Sequence, residues 1–483
     1  MQSENHPTRR KTFTAPVIAL ILLAAAVTVT VIAAASAHRP PAEAEDDIPL
    51  LPDMPDFGGA SLTMLTEESH NFEFVSEEIT GEAVNDAVFN RLLKVEQELE
   101  ISVESVTRPG ASSKNYDVYC SEVRNSVLTG QGYDLAAGVS GFCHPLAAEG
   151  LWLDLIPLPY IDHALKFAVP GLCDSTPGGR LYGLIGGGSL SAVREAYALF
   201  INRGMLEILG LDNPAPLVRK GAWTLDSMLD YARAAASDLD ADGEADPEID
   251  RFGYVAVHSI NRAFLGSADC HALVCDGGRV VVLPADERMI NIYEKVEALT
   301  ADARVSWVSM GSKTAANAPF TEGRSLFCGA SLSYTETLRH SDIDWSVLPY
   351  PKYAEYEDGY AGQLPFSAVG LFVPANVSGG GLELSASALT ALCHYGSLAV
   401  NPLYLENALL GRTARDADTR EMLNLAASSV TASYDALWSR LYDTPPHDIL
   451  DPERVGASFT AFYEKASAKW AVEISMHTDS ELK

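Results

Sequence analysis

The chain has 483 residues, and 34 Lys and Arg against 65 Asp and Glu leave a net charge of −31 at pH 7. Hydrophobic residues at 47 % and charged residues at 20 % describe a folded body, and the length asks for two or three lobes because one core seldom grows past about 250–300 residues. The acidic balance excludes nucleic acid and anionic membrane surfaces as partners of the folded part, since both require cationic clusters that this part lacks.

The first element is a targeting segment. Arg9, Arg10 and Lys11 precede an apolar run that ends in Ala35-Ser36-Ala37. A basic region, an apolar stretch and a small-residue end over residues 1–37 read as a secretory signal peptide. As a helix, Ala15–Ala35 would span about 31 Å, which also suits an uncleaved transmembrane helix. Both readings keep the basic cluster inside and place the rest at the extracellular face of the cell membrane, anchored or secreted. No Cys follows the apolar run to carry a lipid. Residues 38–60 alternate Pro with Asp and Glu, which predicts a stiff, extended linker.

Beyond the linker, short apolar strands alternate with amphipathic helices, the pattern of an α/β fold. Ser61–Leu65 predicts a strand. Val84, Val88, Leu92, Val95 and Leu99 fall at helical spacing and predict a helix from about Glu82 to Leu99. Ile101–Val106, Tyr133–Ala137, Phe200–Asn202, Phe252–Val257, Val280–Leu283, Ser325–Ala330, Trp345–Leu348 and Val369–Val373 predict further strands. Tyr116–Leu128 and Met289–Leu299 predict helices, and Thr224 caps another that runs to about Ala236. The chain from Leu382 onward is mostly helical, and no fixed-period repeat is present.

Seven cysteines in so long a chain do not make a disulfide scaffold. Cys270 and Cys275 could pair across a turn. Cys143-His144, Cys270-His271 and Cys393-His394 lack zinc spacing and read better as buried thiols beside surface histidines.

A set of ordered segments carries a resemblance. They include Gly81-Glu82-Ala83-Val84-Asn85-Asp86-Ala87-Val88, Gly132-Tyr133-Asp134-Leu135, Leu151-Trp152-Leu153-Asp154-Leu155 and Leu199-Phe200-Ile201-Asn202-Arg203. Further on come Gly221-Ala222-Trp223-Thr224-Leu225-Asp226, Asp344-Trp345-Ser346-Val347-Leu348-Pro349, and Pro402 and Tyr404 with Glu421-Met422-Leu423. In order and spacing they resemble the extracellular solute-binding proteins of ABC importers, in the maltose- and oligosaccharide-binding group. The resemblance implies a two-lobed periplasmic-binding-protein-like fold with a hinge and an interlobe cleft. Lobe one would hold 61–185 plus 346–410, and lobe two 190–345 plus 411–483. It implies capture of a small ligand, an oligosaccharide in the first instance, for delivery to ABC permease subunits, without catalysis. The alternative is a membrane-anchored sensory ectodomain or a secreted glycan-processing enzyme on the same fold.

Within that frame the expected ligand-binding residues are Glu67, Glu68, Asn85 and Asp86 near the first strand, and Ser140, Gly141 and Phe142 after the third. Gly187 and Ser189 at the first crossing, and Ser333 and Tyr334 after a later strand, complete the set. A Trp common in the stretch matching Gly329–Tyr334 is absent, which leaves Tyr334 as its only ring and the candidate for stacking on a sugar face. Trp223 and Trp345 read as core.

One of the resembling segments, Asp238-Leu239-Asp240-Ala241-Asp242-Gly243 running into Phe252-Gly253-Tyr254, is also the sharpest local motif. Asp238, Asp240, Asp242 and Gly243, with Asp246 at the ninth place, match an EF-hand-like calcium loop. Ile249 occupies the place of the bidentate Glu, with Glu248 and Asp250 on either side. A structural calcium ion and a solvated acidic turn are both open readings, and no organic cofactor is indicated. Gly183-Leu184-Ile185-Gly186-Gly187-Gly188-Ser189 lacks the residues of a nucleotide cradle and fits a hinge or cleft backbone better. Glu67/Glu68 and Glu77/Glu78 are acid pairs of the kind glycosidases use, but adjacent acids on a loop point apart.

Overall fold

In the computed structural model the described residues are 50–110, 115–130, 132–408, 416–446, 450 and 458–481. The expected signal or anchor over residues 1–37 and the first part of the linker lie outside them. Among the described residues no helix is long and apolar enough to cross a membrane.

Strand β1 (Ala60–Glu67) buries Leu62, Met64 and Leu65 and pairs in parallel with β2 (Ile101–Arg108) and β3 (Leu135–Val139). The helix Ala83–Leu99 joins β1 to β2. Glu82 caps it by accepting the Asn85 N–H at 2.7 Å, and Val88, Leu92, Val95 and Leu99 form its buried stripe. The chain then makes β4 (Gly183–Leu184) and crosses into a second sheet.

That second sheet contains β5 (Tyr197–Asn202) and β6 (Phe252–Val257). A hairpin of β7 (Leu273–Asp276) and β8 (Arg279–Val282) branches off before β9 (Ser306–Ser309), β10 (Ser325–Ser331) and β11 (Trp345–Leu348). After β12 (Gly362–Gln363) the chain returns as β13 (Val369–Phe372), and β14 (Val430–Thr431) later pairs with β12. Sheet one has the order β2-β1-β3-β13-β4 and sheet two the order β11-β5-β10-β6-β9. Each sheet is the centre of one lobe. In lobe two the helix Leu225–Ala235 opens on a capping box between Thr224 and Ser227. Trp223 and Trp345 are fully buried.

Three expectations need correction. The end of the linker is laid on lobe one rather than free of it. Leu51, Met54 and Phe57 pack on the core, and the Phe57 and Gly59 N–H groups donate to Leu99 and Glu100 at 2.8 and 2.7 Å. The boundary at 345/346 cuts through β11, which pairs with β5 along its whole length from Trp345↔Asn202 to Leu348↔Leu199. The strand belongs to lobe two, and the return crossing begins after Leu348. Finally, two of the Cys-adjacent histidines are interior. The His144 ring packs edge-on to Phe372 and Trp438, and His394 lies 3.1 Å from His163. All seven cysteines are free thiols, Cys270 and Cys275 included.

The C-terminal region touches both lobes. The helix Ala417–Ser428 covers β11 and β5. In the helix Tyr434–Trp438, the Trp438 indole donates to the Ser175 carbonyl at 3.0 Å on the lobe-one side. The Asp435 carboxylate takes the Ala272 and Leu273 N–H groups at 2.9 and 3.2 Å, at the root of the β7–β8 hairpin.

Candidate functional site

A groove of about 360 Å³ lies between the lobes, with Phe72, Glu82, Val84 and Asn85 on one side and Glu336, Arg339 and His340 on the other. Arg194, on the first crossing, stands between them. Its Nε and Nη2 groups donate to Glu336 at 2.9 and 3.1 Å, and Nη1 donates to Glu195 at 2.8 Å. The Phe72 ring lies 5.6 Å from the guanidinium, and the Tyr404 hydroxyl donates to Glu336 at 3.0 Å. Burial alone would lower the Arg194 pKa, but the Glu336 and Glu195 carboxylates outweigh it and raise it, so the side chain stays charged.

Behind the groove, buried polar groups fasten the crossing to lobe one. Glu73 accepts the Ser191 N–H at 2.8 Å through one oxygen and meets His70 Nδ1 at 2.7 Å through the other. Desolvation works to lower the His70 pKa, yet the hydrogen bond to Glu73 and the charges of Glu73, Glu67 and Glu195 raise it overall. Arg91, fully buried, donates to the carbonyls of Glu73 and Gly188, and desolvation lowers its pKa to about 10. Sequence reading missed these groups. Arg91 could have been found, because it interrupts the apolar stripe Val88-Leu92-Val95 of its helix; Glu73 and Arg194 gave no such signal.

The expected ligand residues scatter across several roles. Glu67 and Glu68 do point apart: Glu67 is buried and accepts the Ser69 hydroxyl at 2.6 Å, whereas Glu68 is exposed. Asn85 lines the groove but is engaged locally, taking the Ser76 hydroxyl at 2.9 Å and donating to Thr80 Oγ1 at 3.0 Å. Asp86 accepts the Thr80 and Gly81 N–H groups at 2.8 and 3.1 Å, so it shapes the helix start.

Ser140 is buried with its hydroxyl unpartnered, and a Cβ on Gly141 would lie 2.1 Å from the Phe366 ring. Phe142 stacks on Tyr116 at 3.7 Å, and the Arg440 guanidinium stands 4.8 Å over the ring, so no face is left open to a sugar. Gly187 is pressed against the helix Gly380–Tyr395 and the turn after it, and Ser189 donates to the Val369 carbonyl at 2.9 Å. Both are interior packing residues here. Ser333 shares a 2.7 Å hydrogen bond with Ser331. Tyr334, 9 % exposed, packs edge-on to Phe200 at 5.3 Å. Its ring is mostly enclosed in lobe two, and with Ser333 it lines a cavity of about 300 Å³ there.

In the acidic loop, Asp238 and Asp240 converge with Asp250, their ligand atoms all within 4.8 Å of one another. Asp250, beside the twelfth place, is the buried member. Asp242 and Asp246 are not in this group; they accept the Glu244 and Glu248 N–H groups at 2.8 and 2.7 Å. Backbone N–H groups, chiefly that of Gly243, lower the Asp238 pKa, while desolvation raises that of Asp240. Three convergent carboxylates are donors of the hard, anionic kind that calcium takes.

No family model and no curated protein matches the sequence. Solved structures do match the fold. The maltose/maltodextrin-binding domain MalE from Bdellovibrio bacteriovorus, bound to maltotriose, aligns with a TM-score of 0.52 at 14 % identity over 87 % of this chain and 100 % of its own. A cyclo/maltodextrin-binding protein complexed with maltotetraose gives 0.58 at 14 % identity over 86 % and 97 %. UspC of M. tuberculosis gives 0.55 at 16 % identity over 86 % and 100 %. The chain therefore has the two-lobed fold of these binding proteins.

Proposed function

We propose that the protein is the exported ligand-capturing subunit of an ABC importer and that it takes an oligosaccharide between its lobes. The observation that carries this reading is the likeness of fold over 86 % of the chain to a structure holding maltotetraose, and a groove lined by polar and charged residues of both lobes supports it. Ligand that touches both lobes favours the closed arrangement by its differential affinity for it. The closed form would then present both lobes to permease subunits, with residues 1–37 anchoring the protein or directing its secretion. Its task is binding, without chemistry on the ligand. A structural calcium ion on Asp238, Asp240 and Asp250 belongs to the same proposal.

The test is a thermal-shift screen of the purified full-length chain against maltotriose, cellotriose, xylotriose, raffinose and ribitol, with peptides and polyamines as controls. A ligand at 100 times its Kd should stabilise the protein by about 2.7 kcal/mol. A screen in which no carbohydrate raises the melting temperature would overturn the reading.

A further inference from the structure

The histidine at the root of the β7–β8 hairpin stands between two carboxylates that belong to different elements. His271 Nε2 meets Asp269 Oδ1 at 3.2 Å within its own loop, and Nδ1 lies 3.9 Å from Asp435 Oδ2 on the helix Tyr434–Trp438. Asp435 is buried and accepts the N–H groups of Ala272 and Leu273, the two residues that follow His271. The hairpin is an arm whose tip reaches lobe one, where the Gly178 N–H donates to the Gly278 carbonyl at 2.9 Å. The helix is fastened to lobe one through Trp438 and Ser175. The cluster therefore ties an arm of lobe two to a helix that lobe one holds.

The surrounding groups keep their charge state near neutral pH. Arg288, on the helix Glu287–Thr300, donates to the Asp269 carbonyl and pairs with Glu357, which outweighs burial and keeps it charged. The phenols of Tyr434, Tyr442 and Tyr463 and the thiols of Cys270 and Cys275 are pushed up by burial and stay neutral. Asp286 accepts the Met289 N–H at 2.8 Å, and Glu473 pairs with Lys469. His271 and Asp435 are left to exchange a proton. Burial works to lower the His271 pKa, but the hydrogen bond to Asp269 and the charges of Asp435 and Asp269 raise it. Burial raises that of Asp435 to about 6, against the opposing pull of His271 and the two N–H groups. Both shifts have one sign: the docked groups hold a proton more tightly than the separated groups, so docking weakens as pH rises. The His271 part is complete below its ordinary value of about 6.5 and is lost as pH climbs through the raised one.

We propose that Asp269, His271 and Asp435 form a pH-sensitive latch. With His271 protonated, its charge sits between the two carboxylates and holds the arm of lobe two to the helix Tyr434–Trp438. With His271 neutral, the tie is reduced to the two N–H bonds that Asp435 accepts. Alkaline pH then loosens this attachment between the lobes, whatever ligand the groove takes.

The test is amide hydrogen exchange at Ala272 and Leu273 in the full-length chain, wild type against His271→Gln, at about pH 6.5 and about pH 8.5. Corrected for intrinsic rates, the variant should lose about threefold or more of the protection at the lower pH, the scale of a partly exposed ion pair. At the higher pH the two proteins should match. A histidine that only fills space would cost as much at both, and equal losses at the two pH values, or no loss at either, would overturn the latch. If His271→Gln does not fold, the magnetic-resonance titration of the His271 ring in the wild type decides. A midpoint above about 6.5 supports the latch, and one at or below that ordinary value overturns it.

Discussion

The substitution Gly187→Ala separates packing from ligand contact at the first crossing. A Cβ there would fall 1.8 Å from Ser397 Oγ, 2.9 Å from Ser397 Cβ and 2.5 Å from the Cys393 carbonyl oxygen. The hydroxyl can rotate away, but the carbonyl belongs to a helix and cannot move without the whole turn. The approach is mutual, since a Cβ on Gly396 would meet the Gly187 carbonyl oxygen at 1.9 Å. Overpacking of this kind costs about 1–3 kcal/mol, and two rigid backbones in contact place Gly187→Ala at about 3 kcal/mol. Adding Ser397→Ala removes the Oγ clash and leaves the Cβ and carbonyl contacts at 2.9 and 2.5 Å, so the double variant should regain about 1 kcal/mol, within the range of coupling between touching residues. Urea denaturation of the four proteins of the cycle measures both figures. A Gly187→Ala protein of wild-type stability that had lost sugar affinity would refute the reasoning and put Gly187 on the binding surface.

Three further outcomes are expected. Tyr334→Ala should lose about 3–5 kcal/mol without any ligand present, as a buried aromatic does; unchanged stability with weaker binding in titration would return the ring to a stacking role. His144, whose pKa desolvation lowers from 6.5 to about 4, stabilises the fold above its unfolded value, and that contribution is lost as pH falls from 6.5 through 4. The loss reaches about 3 kcal/mol. His163 and His394, also lowered, act in the same direction, while the raised His70 acts oppositely, so the measurement is the difference in melting temperature between wild type and His144→Phe across this window; parallel curves would exclude the assignment. For the acidic loop, calcium should raise the melting temperature above that in chelator, and Asp250→Asn should remove the difference. Coincident wild-type curves would mean that the carboxylates only cap backbone N–H groups.

The strands β6 and β13 were legible as apolar runs with a clear end, and β1, β2, β10 and β11 as short segments rich in apolar or β-branched residues between Ser, Thr or Glu. The strands β7, β9, β12 and β14 were not. They are two to four residues long, and what makes them strands is the partner that reaches them, which no local pattern records. The same limit applies to the site. Asn85 and Asp86 stood out as part of a motif, yet the motif records how a helix begins, through Glu82, Thr80 and Gly81. Gly187 attracted notice as a glycine in a glycine run, whereas its cause is Ser397, far along the chain. Tyr334 reads as an exposed ring only until Phe200 is placed beside it. Histidines next to cysteines looked superficial because a histidine tolerates both surface and interior, and only the facing rings of Phe372 and Trp438 decide. The Glu73–Ser191 contact could not have been read from either residue, since it exists only once the crossing has folded onto lobe one.

The short helix Tyr434–Trp438 holds Ser175 of lobe one at one end and the root of the β7–β8 hairpin of lobe two near the other. Five residues of helix do not stretch, and Trp438 and Asp435 are both buried, so the helix cannot follow two bodies that part from each other at that point. A swing that widened the groove about an axis far from this helix would have to break the Trp438–Ser175 hydrogen bond or the two that Asp435 accepts.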